Sequence, residues 1–286
     1  MYAITAWWLA IRPKTLPLAA TPVLAGNSLA WAEGGALSWP TAAVTLAAAV
    51  LIQIGTNLHN DAADFERGAD GPQRLGPPRA AAQGWISARR IKQAAAGAFA
   101  LAFLGGIYLA WVGGWPIVLL GLASLAAAYA YTGGPRPIAY SALGEVFVFL
   151  FFGLGAVAGS HYLQTGQFSL TALAVGAALG LPAAAVLLVN NYRDLDHDRA
   201  AGKLTLCHYL GRERSRPLYA LLLFAPVLLV LVLPAAWPIL LALPLAVVLT
   251  RRFVREPPGS GLNRVLAATA GYQLAFGLVL SAALLV

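Results

Sequence analysis

The chain has 286 residues, 59% hydrophobic and only 10% charged, and its mean hydropathy of +0.72 excludes an ordinary soluble domain and assigns most of the chain to lipid. The formal charge of +8 would suit a nucleic-acid binder, but the basic residues are distributed as in a membrane protein, as set out below. A single cysteine, Cys207, excludes an internal disulfide and a cysteine-based metal site.

In chain order, Trp7 and Trp8 come first, followed by AIRPKTLP with Pro13 and Pro17 flanking Lys14. Aromatics beside cations predict a short interfacial helix leading into a first span. The charges Arg12 and Lys14 and the lack of a convincing cleavage site argue against a removed secretory signal. A spanning helix needs roughly 20 mainly apolar residues. Hydrophobic runs near 15–34, 40–60, 93–112, 115–131, 142–163, 169–190, 217–234, 236–254 and 264–286 therefore predict about nine spans. The expected class is all-α integral membrane, as a single domain over 1–286.

All 19 Lys and Arg residues fall into alternate connections, from Arg12 and Lys14 through 67–92, Arg136 and 193–216 to 251–264. The opposite connections hold none. The positive-inside rule then places the charged face in the cytoplasm and, with an odd number of spans, the C-terminus outside. The basicity is topological first, and it also suits anionic headgroups or an anionic substrate. The two long inner links, 61–92 and 191–216, follow spans two and six. This recurrence suggests two related four-helix halves with a ninth helix appended.

The first inner link opens with GTNLHNDAADFERGAD, in which Asn57, Asn60, Asp61 and Asp64 share one face of a continuing helix. Gly68 then breaks the helix, letting Asp70 fold back toward that face. The second opens with NNYRDLDHDRAAGKLTL, where Asn190, Asp194 and Asp198 recur every four residues. Asp196 lies about 200 degrees from Asp194 and is less suited to the same site. Like charges this close repel, so a cation is expected among them. Oxygen ligands without cysteine select a hard ion such as magnesium, which shares its shell with substrate phosphates. The implied ligand is a diphosphate. Lys14, Arg74, Arg193 and Lys203 are placed to meet its oxygens.

At these residues the chain resembles the UbiA superfamily of intramembrane aromatic prenyltransferases. The carrying blocks are RPKTLPLA, NDAADFERGAD with RLGPPR, YTGGPRPIAY followed by LGE, and NNYRDLDHDRAAGKLTL. Within the superfamily they are most similar to the branch that prenylates 1,4-dihydroxy-2-naphthoate on the way to menaquinone. The resemblance implies a UbiA-type bundle with a central cavity open sideways to lipid. It also implies two magnesium-diphosphate motifs, Asn60, Asp61, Asp64 and Asp70 in the first and Asp194 and Asp198 in the second, with Lys203 as the basic residue after them. Ala62, the triplet Cys207, His208 and Tyr209, and the pair Gly71 and Pro72 depart from the family pattern.

The mechanism so implied is ionisation of an allylic diphosphate, with attack on the cation by an electron-rich ring that loses a proton and, in the naphthoate branch, its carboxylate as CO2. Tyr129, Tyr131, Tyr140, Phe147 and Phe151 are candidates for the aromatic wall that shields the cation. Asn57, Asn190 and Asn191 are candidates for substrate contact. Glu145 either orients or deprotonates an acceptor hydroxyl or is a structural, hydrogen-bonded acid. His59 and His197 are expected as supporting or solvated groups, and His161 at the far end. The expected partners are polyprenyl diphosphate, an aromatic quinone precursor and membrane lipid, with no nucleic acid, in a bacterial inner membrane. A 4-hydroxybenzoate or haem-modifying prenyltransferase is the alternative within the superfamily. A secondary transporter would gather its acids near the midplane rather than at the inner boundary.

Overall fold

The computed structural model describes residues 3–34, 36–71, 74–233 and 236–285. Among these all regular structure is helical, with no strand. The expected interfacial helix is α1, Ala3–Ile11. It buries Ala6 and Ala10 against Leu58, Ala62, Ala81 and Ile91 and leaves Ile4 and Trp8 exposed. Arg12 then adopts a left-handed backbone, φ 53, uncommon for a residue with a side chain. This turn feeds α2, Pro17–Gly34.

α3 spans Trp39–Glu66 and α4 spans Ala88–Ala130, 43 residues. Straight, α4 would measure about 65 Å, twice a hydrocarbon core of roughly 30 Å. It is not straight, because Gly114 sits at φ 65, ψ −156, a conformation open to glycine alone without strain. Near the start of α4, Lys92 pairs with Glu66 at 2.5 Å. Just past its end, Thr132 Oγ1 meets His59 Nδ1 at 3.0 Å, and the Thr132 carbonyl accepts from Arg67. Both ends of α4 thus lie at the C-terminal end of α3, and the helix doubles back at Gly114.

α5, Gly144–Phe149, passes through a π-helical turn, Leu150–Gly155, into α6, Ala156–Thr165. This turn lies against α7, Leu170–Ala200, where the backbones touch. A Cβ on Gly153 would sit 2.5 Å from the Gly176 carbonyl oxygen and 2.6 Å from the Gly180 Cα, the close approach that small residues permit between membrane helices. α7 is the centre of the bundle, with Val175, Ala178, Leu179, Ala185, Leu188 and Val189 fully buried. α8 (Leu206–Val230), α9 (Ala242–Arg255) and α10 (Leu262–Ala283) complete the fold.

The expected hydrophobic runs fall on α2, α3, the two arms of α4, α5–α6, α7, α8, α9 with the turn before it, and α10. Pro234 and Val286, at the ends of two expected runs, and Pro72 lie outside the described residues. Among the described residues, six helical stretches are long and apolar enough to cross a membrane. α3 and α7 run on to Glu66 and Ala200, so 57–64 and 190–198 are helical, as the residue spacing requires, and Asp70 lies beyond the end of α3.

Candidate active site

A cavity of about 980 Å³ lies between α2, α3, both arms of α4, α5–α6, α7 and α10. Most of its wall is apolar, including Phe147 and Phe151, stacked at 5.8 Å between ring centroids. Phe103 and Ile107 line it yet are 48% and 54% exposed, so the cavity opens sideways along α4. One end is polar, where the C-terminal ends of α3 and α7 meet.

On α3, Asn57, Asn60 and Asp64 line the cavity. Asp64 Oδ2 accepts from Asn60 Nδ2 at 3.0 Å, and Asn57 Nδ2 holds the Ile11 carbonyl and Thr15 Oγ1, both at 3.0 Å. Asp61, expected on the same face as a metal ligand, does not line the cavity. It lies about 100° around the helix from Asn60, and its carboxylate accepts the backbone N–H groups of Ala80 and Ala81 at 3.1 and 3.0 Å. Asp61 thereby anchors the returning loop and sets Arg79 over the site. Gly68, at φ 72, turns the chain as expected. Asp70 follows with a fully buried side chain, paired with Arg74 and 3.6 Å from Arg79 Nε. Burial raises its carboxyl above the ordinary aspartate range, against the pull of Arg74.

On α7, Asn190, Asn191, Arg193, Asp194, His197 and Asp198 all line the cavity. Arg193 grips Asp194 at two points, Nε to Oδ1 at 2.7 Å and Nη2 to Oδ2 at 2.5 Å. It also donates to Asn263 on α10 at 2.6 Å. His197 Nε2 lies 3.0 Å from the Ala69 carbonyl oxygen, joining α7 to the first loop. Asp196 points away and pairs with Arg212 at 2.8 Å. Glu145, expected at the acceptor, stands behind the wall: Asn191 Nδ2 donates to its Oε1 at 2.9 Å, and its buried Oε2 has no hydrogen-bond partner in the protein.

Several residues have roles that spacing did not reveal. Arg12 lines the cavity and donates to Asn60 Oδ1 at 2.5 Å; the sequence marked it as a topological charge and as the first residue of RPKTLPLA, with no place in the site. Arg79, 8% exposed, reaches the same oxygen at 2.7 Å. Lys14 lines the cavity from an exposed position, while Arg74, Lys203 and Tyr131 line it as expected. Tyr140 serves the site through its hydroxyl, which donates to Asp64 Oδ1 at 3.1 Å. Burial and the Asp64 carboxylate hold that phenol far above its ordinary range, so it acts as a donor. Tyr129 packs on His59 instead, 5.0 Å between ring centroids. His161 pairs with Glu33 at 2.6 Å, away from these acids. The departures Ala62 and Cys207 are buried in packing, Tyr209 is 63% exposed, and none of the three is among the residues lining the cavity.

No three His, Cys, Asp or Glu side chains among the described residues form a ready-made metal cage. Magnesium needs none, since it is usually held by one or two carboxylates plus water and substrate phosphates. Asp70 Oδ2 is buried without a hydrogen-bond partner, and the other acids offer oxygen only, so the donor set fits a hard cation. Arg12, Arg74, Arg79, Arg193 and Lys203 gathered at the same end suit phosphate oxygens.

Two acid-bearing helix ends and a cluster of cations at the polar mouth of an apolar, laterally open cavity define an intramembrane prenyltransferase. Residues 19–257 match the UbiA prenyltransferase family, and the chain belongs to that family as an integral membrane protein. The 1,4-dihydroxy-2-naphthoate octaprenyltransferase of Mycobacterium tuberculosis is 39% identical over 251 residues, covering 86% of this chain and 85% of that protein. The protein of the same description in Escherichia coli is 36% identical over 277 residues, covering 92% and 90%. A UbiA homolog from Archaeoglobus fulgidus bound to DMAPP and Mg2+ has the same fold, with a TM-score of 0.66 over 97% of this chain and 99% of that one at 16% identity.

Proposed function

We propose that this protein transfers a polyprenyl group from polyprenyl diphosphate to 1,4-dihydroxy-2-naphthoate, giving demethylmenaquinol with release of CO2 and diphosphate. The observation that carries the reading is the identity with naphthoate octaprenyltransferases over most of both chains, 36% across 92% of this one for the Escherichia coli enzyme. The reading extends to a bacterial inner membrane crossed nine times by a single domain, with the acidic helix ends cytoplasmic and the C-terminus outside, an orientation supported by the confinement of the 19 basic residues to alternate connections.

Asp64 and Asp70 from the first segment and Asp194 and Asp198 from the second would hold magnesium, which when bound neutralises charge on the leaving diphosphate. Arg12, Arg74, Arg79 and Lys203 bind the diphosphate oxygens and help its departure by stabilising the developing charge. Phe147 and Phe151 keep water from the allylic cation and offer it their ring faces. Tyr131, Asn190 and Asn191, which line the same cavity, contact the acceptor. Glu145 holds the Asn191 amide in place from behind. Once the carbon to oxygen bond has broken and its electron pair has left with the diphosphate, the acceptor ring attacks the allylic cation, and the acceptor carboxylate leaves as CO2.

The test is product formation by the purified protein in lipid with magnesium, a polyprenyl diphosphate, and either 1,4-dihydroxy-2-naphthoate or 4-hydroxybenzoate, read by mass spectrometry. A prenylated, decarboxylated naphthoquinol is expected. Product with 4-hydroxybenzoate alone would keep the chemistry and replace the acceptor.

A further inference from the structure

We propose that Tyr140 is a positioning residue that orients Asp64 for the metal and holds the two acidic segments in register; the proposal rests on the prenyl-transfer reading above. Tyr140 ends a short turn, Ile138–Tyr140, between α4 and α5, and belongs to neither acidic segment. Its side chain and backbone nevertheless touch both. Its hydroxyl donates to Asp64 Oδ1 at 3.1 Å. The ammonium of Lys203 lies over its ring, 4.6 Å from the centroid. Its backbone carbonyl accepts from the Leu204 N–H at 3.1 Å. Lys203 is in turn tied to the end of α7, since its N–H donates to the Asp198 carbonyl at 2.7 Å.

The consequence for Asp64 follows from its lone pairs. An ionised carboxylate has about four acceptor positions. Tyr140 takes one on Oδ1, and Asn60 takes one on Oδ2 at 3.0 Å. Two hydrogen bonds on opposite oxygens fix the carboxylate plane and leave positions free at the cavity that Asp64 lines. Outer groups that orient a ligating side chain contribute about 10- to 100-fold in metal affinity.

The ring has a separate task. Lys203 Nζ stands 3.4 Å from Asp64 Oδ2, so a cation arriving at Asp64 repels it. The face of Tyr140 already holds that ammonium by cation–π attraction, so it keeps one partner when a cation takes the other. Lys203 therefore stays at the mouth, where it meets the diphosphate instead of swinging into solvent. Phenylalanine would keep the ring's task and lose the hydroxyl's, while leucine would lose both.

The experiment is isothermal titration of the full-length protein in lipid nanodiscs with magnesium and geranyl S-thiolodiphosphate, a diphosphate analogue that does not ionise. Tyr140→Phe is expected to raise the magnesium concentration for half-saturation by about 10-fold, with analogue affinity restored once magnesium is saturating. Tyr140→Leu is expected to show the same magnesium defect and also to bind the analogue more weakly at saturating magnesium. An unchanged magnesium half-saturation in Tyr140→Phe, with normal binding by the parent protein, overturns the proposal alone. Equal analogue affinity in the two variants at saturating magnesium overturns the ring's part. No binding by the parent protein overturns the prenyl-transfer reading with it.

Discussion

Arg12 and Arg79 meet on one neutral oxygen, their guanidinium nitrogens 2.5 and 2.7 Å from Asn60 Oδ1. Like charges so close repel, and Arg79 also keeps Nη1 buried without a hydrogen-bond partner. An anion between them would relieve both costs. Diphosphate with magnesium should therefore raise the thermal midpoint of the purified protein, and Arg79→Gln should remove most of that rise. An undiminished rise in the variant would locate the diphosphate elsewhere.

Asp64 and Asp194 represent the two acidic segments at the cavity. Asp64→Asn and Asp194→Asn keep size and much of the hydrogen bonding but remove the charge a cation needs. Each variant should insert into membranes normally and form no measurable prenylated product by mass spectrometry. Turnover retained in both would sink a mechanism built on two acidic segments.

How much of this was legible depended on periodicity. The acids of α3 and α7 could be placed because helical spacing turns sequence positions into angles, and the runs at 93–112 and 115–131 anticipated the fold of α4 at Gly114. Angles alone could not assign partners. Asp61 sits close enough in angle to Asn57 and Asp64 to pass as a ligand, and only the return of residues 80 and 81 shows its carboxylate turned to backbone amides away from the cavity lining. Arg12 and Tyr140 were opaque for the opposite reason. Both sit in turns without a period, far in sequence from Asn60 and Asp64, so tertiary packing alone brings them in. The RP and IAY phrases flanking them were the available signals, and they carried the family resemblance rather than a geometry.

Asp61 leads to a prediction of its own. Asp61→Ala leaves the Ala80 and Ala81 amides buried without acceptors, which costs about 1–3 kcal/mol. The thermal midpoint should fall, and the diphosphate-induced rise should shrink as the loop carrying Arg79 loosens. A midpoint equal to that of the parent would mean the loop is held by other contacts.

The pH dependence of metal binding follows from Asp70. Burial raises its carboxyl, so it takes up a proton at a higher pH than an exposed aspartate. Only the ionised form can hold a cation, so its contribution is present above the raised value and is lost as pH falls through it. The magnesium half-saturation of the parent protein should climb on acidification, while Asp70→Asn should start higher and change less. Parallel curves would remove Asp70 from the metal site.

Gly114 tests the fold independently of the chemistry. With φ at 65 and ψ at −156, it occupies backbone space that a Cβ makes strained, although a built Cβ meets nothing within 4 Å. The penalty for Gly114→Ala is thus conformational rather than steric against neighbours, and it should exceed about 1 kcal/mol. Because the hairpin is what returns Thr132 to Arg67 and His59, relief of that strain by straightening α4 would pull the 131–140 turn from the site. The expected result is a lower thermal midpoint with magnesium half-saturation unchanged while the hairpin holds. A variant as stable as the parent would mean that the bend is set by packing against Leu163 and Ile117 rather than by the glycine.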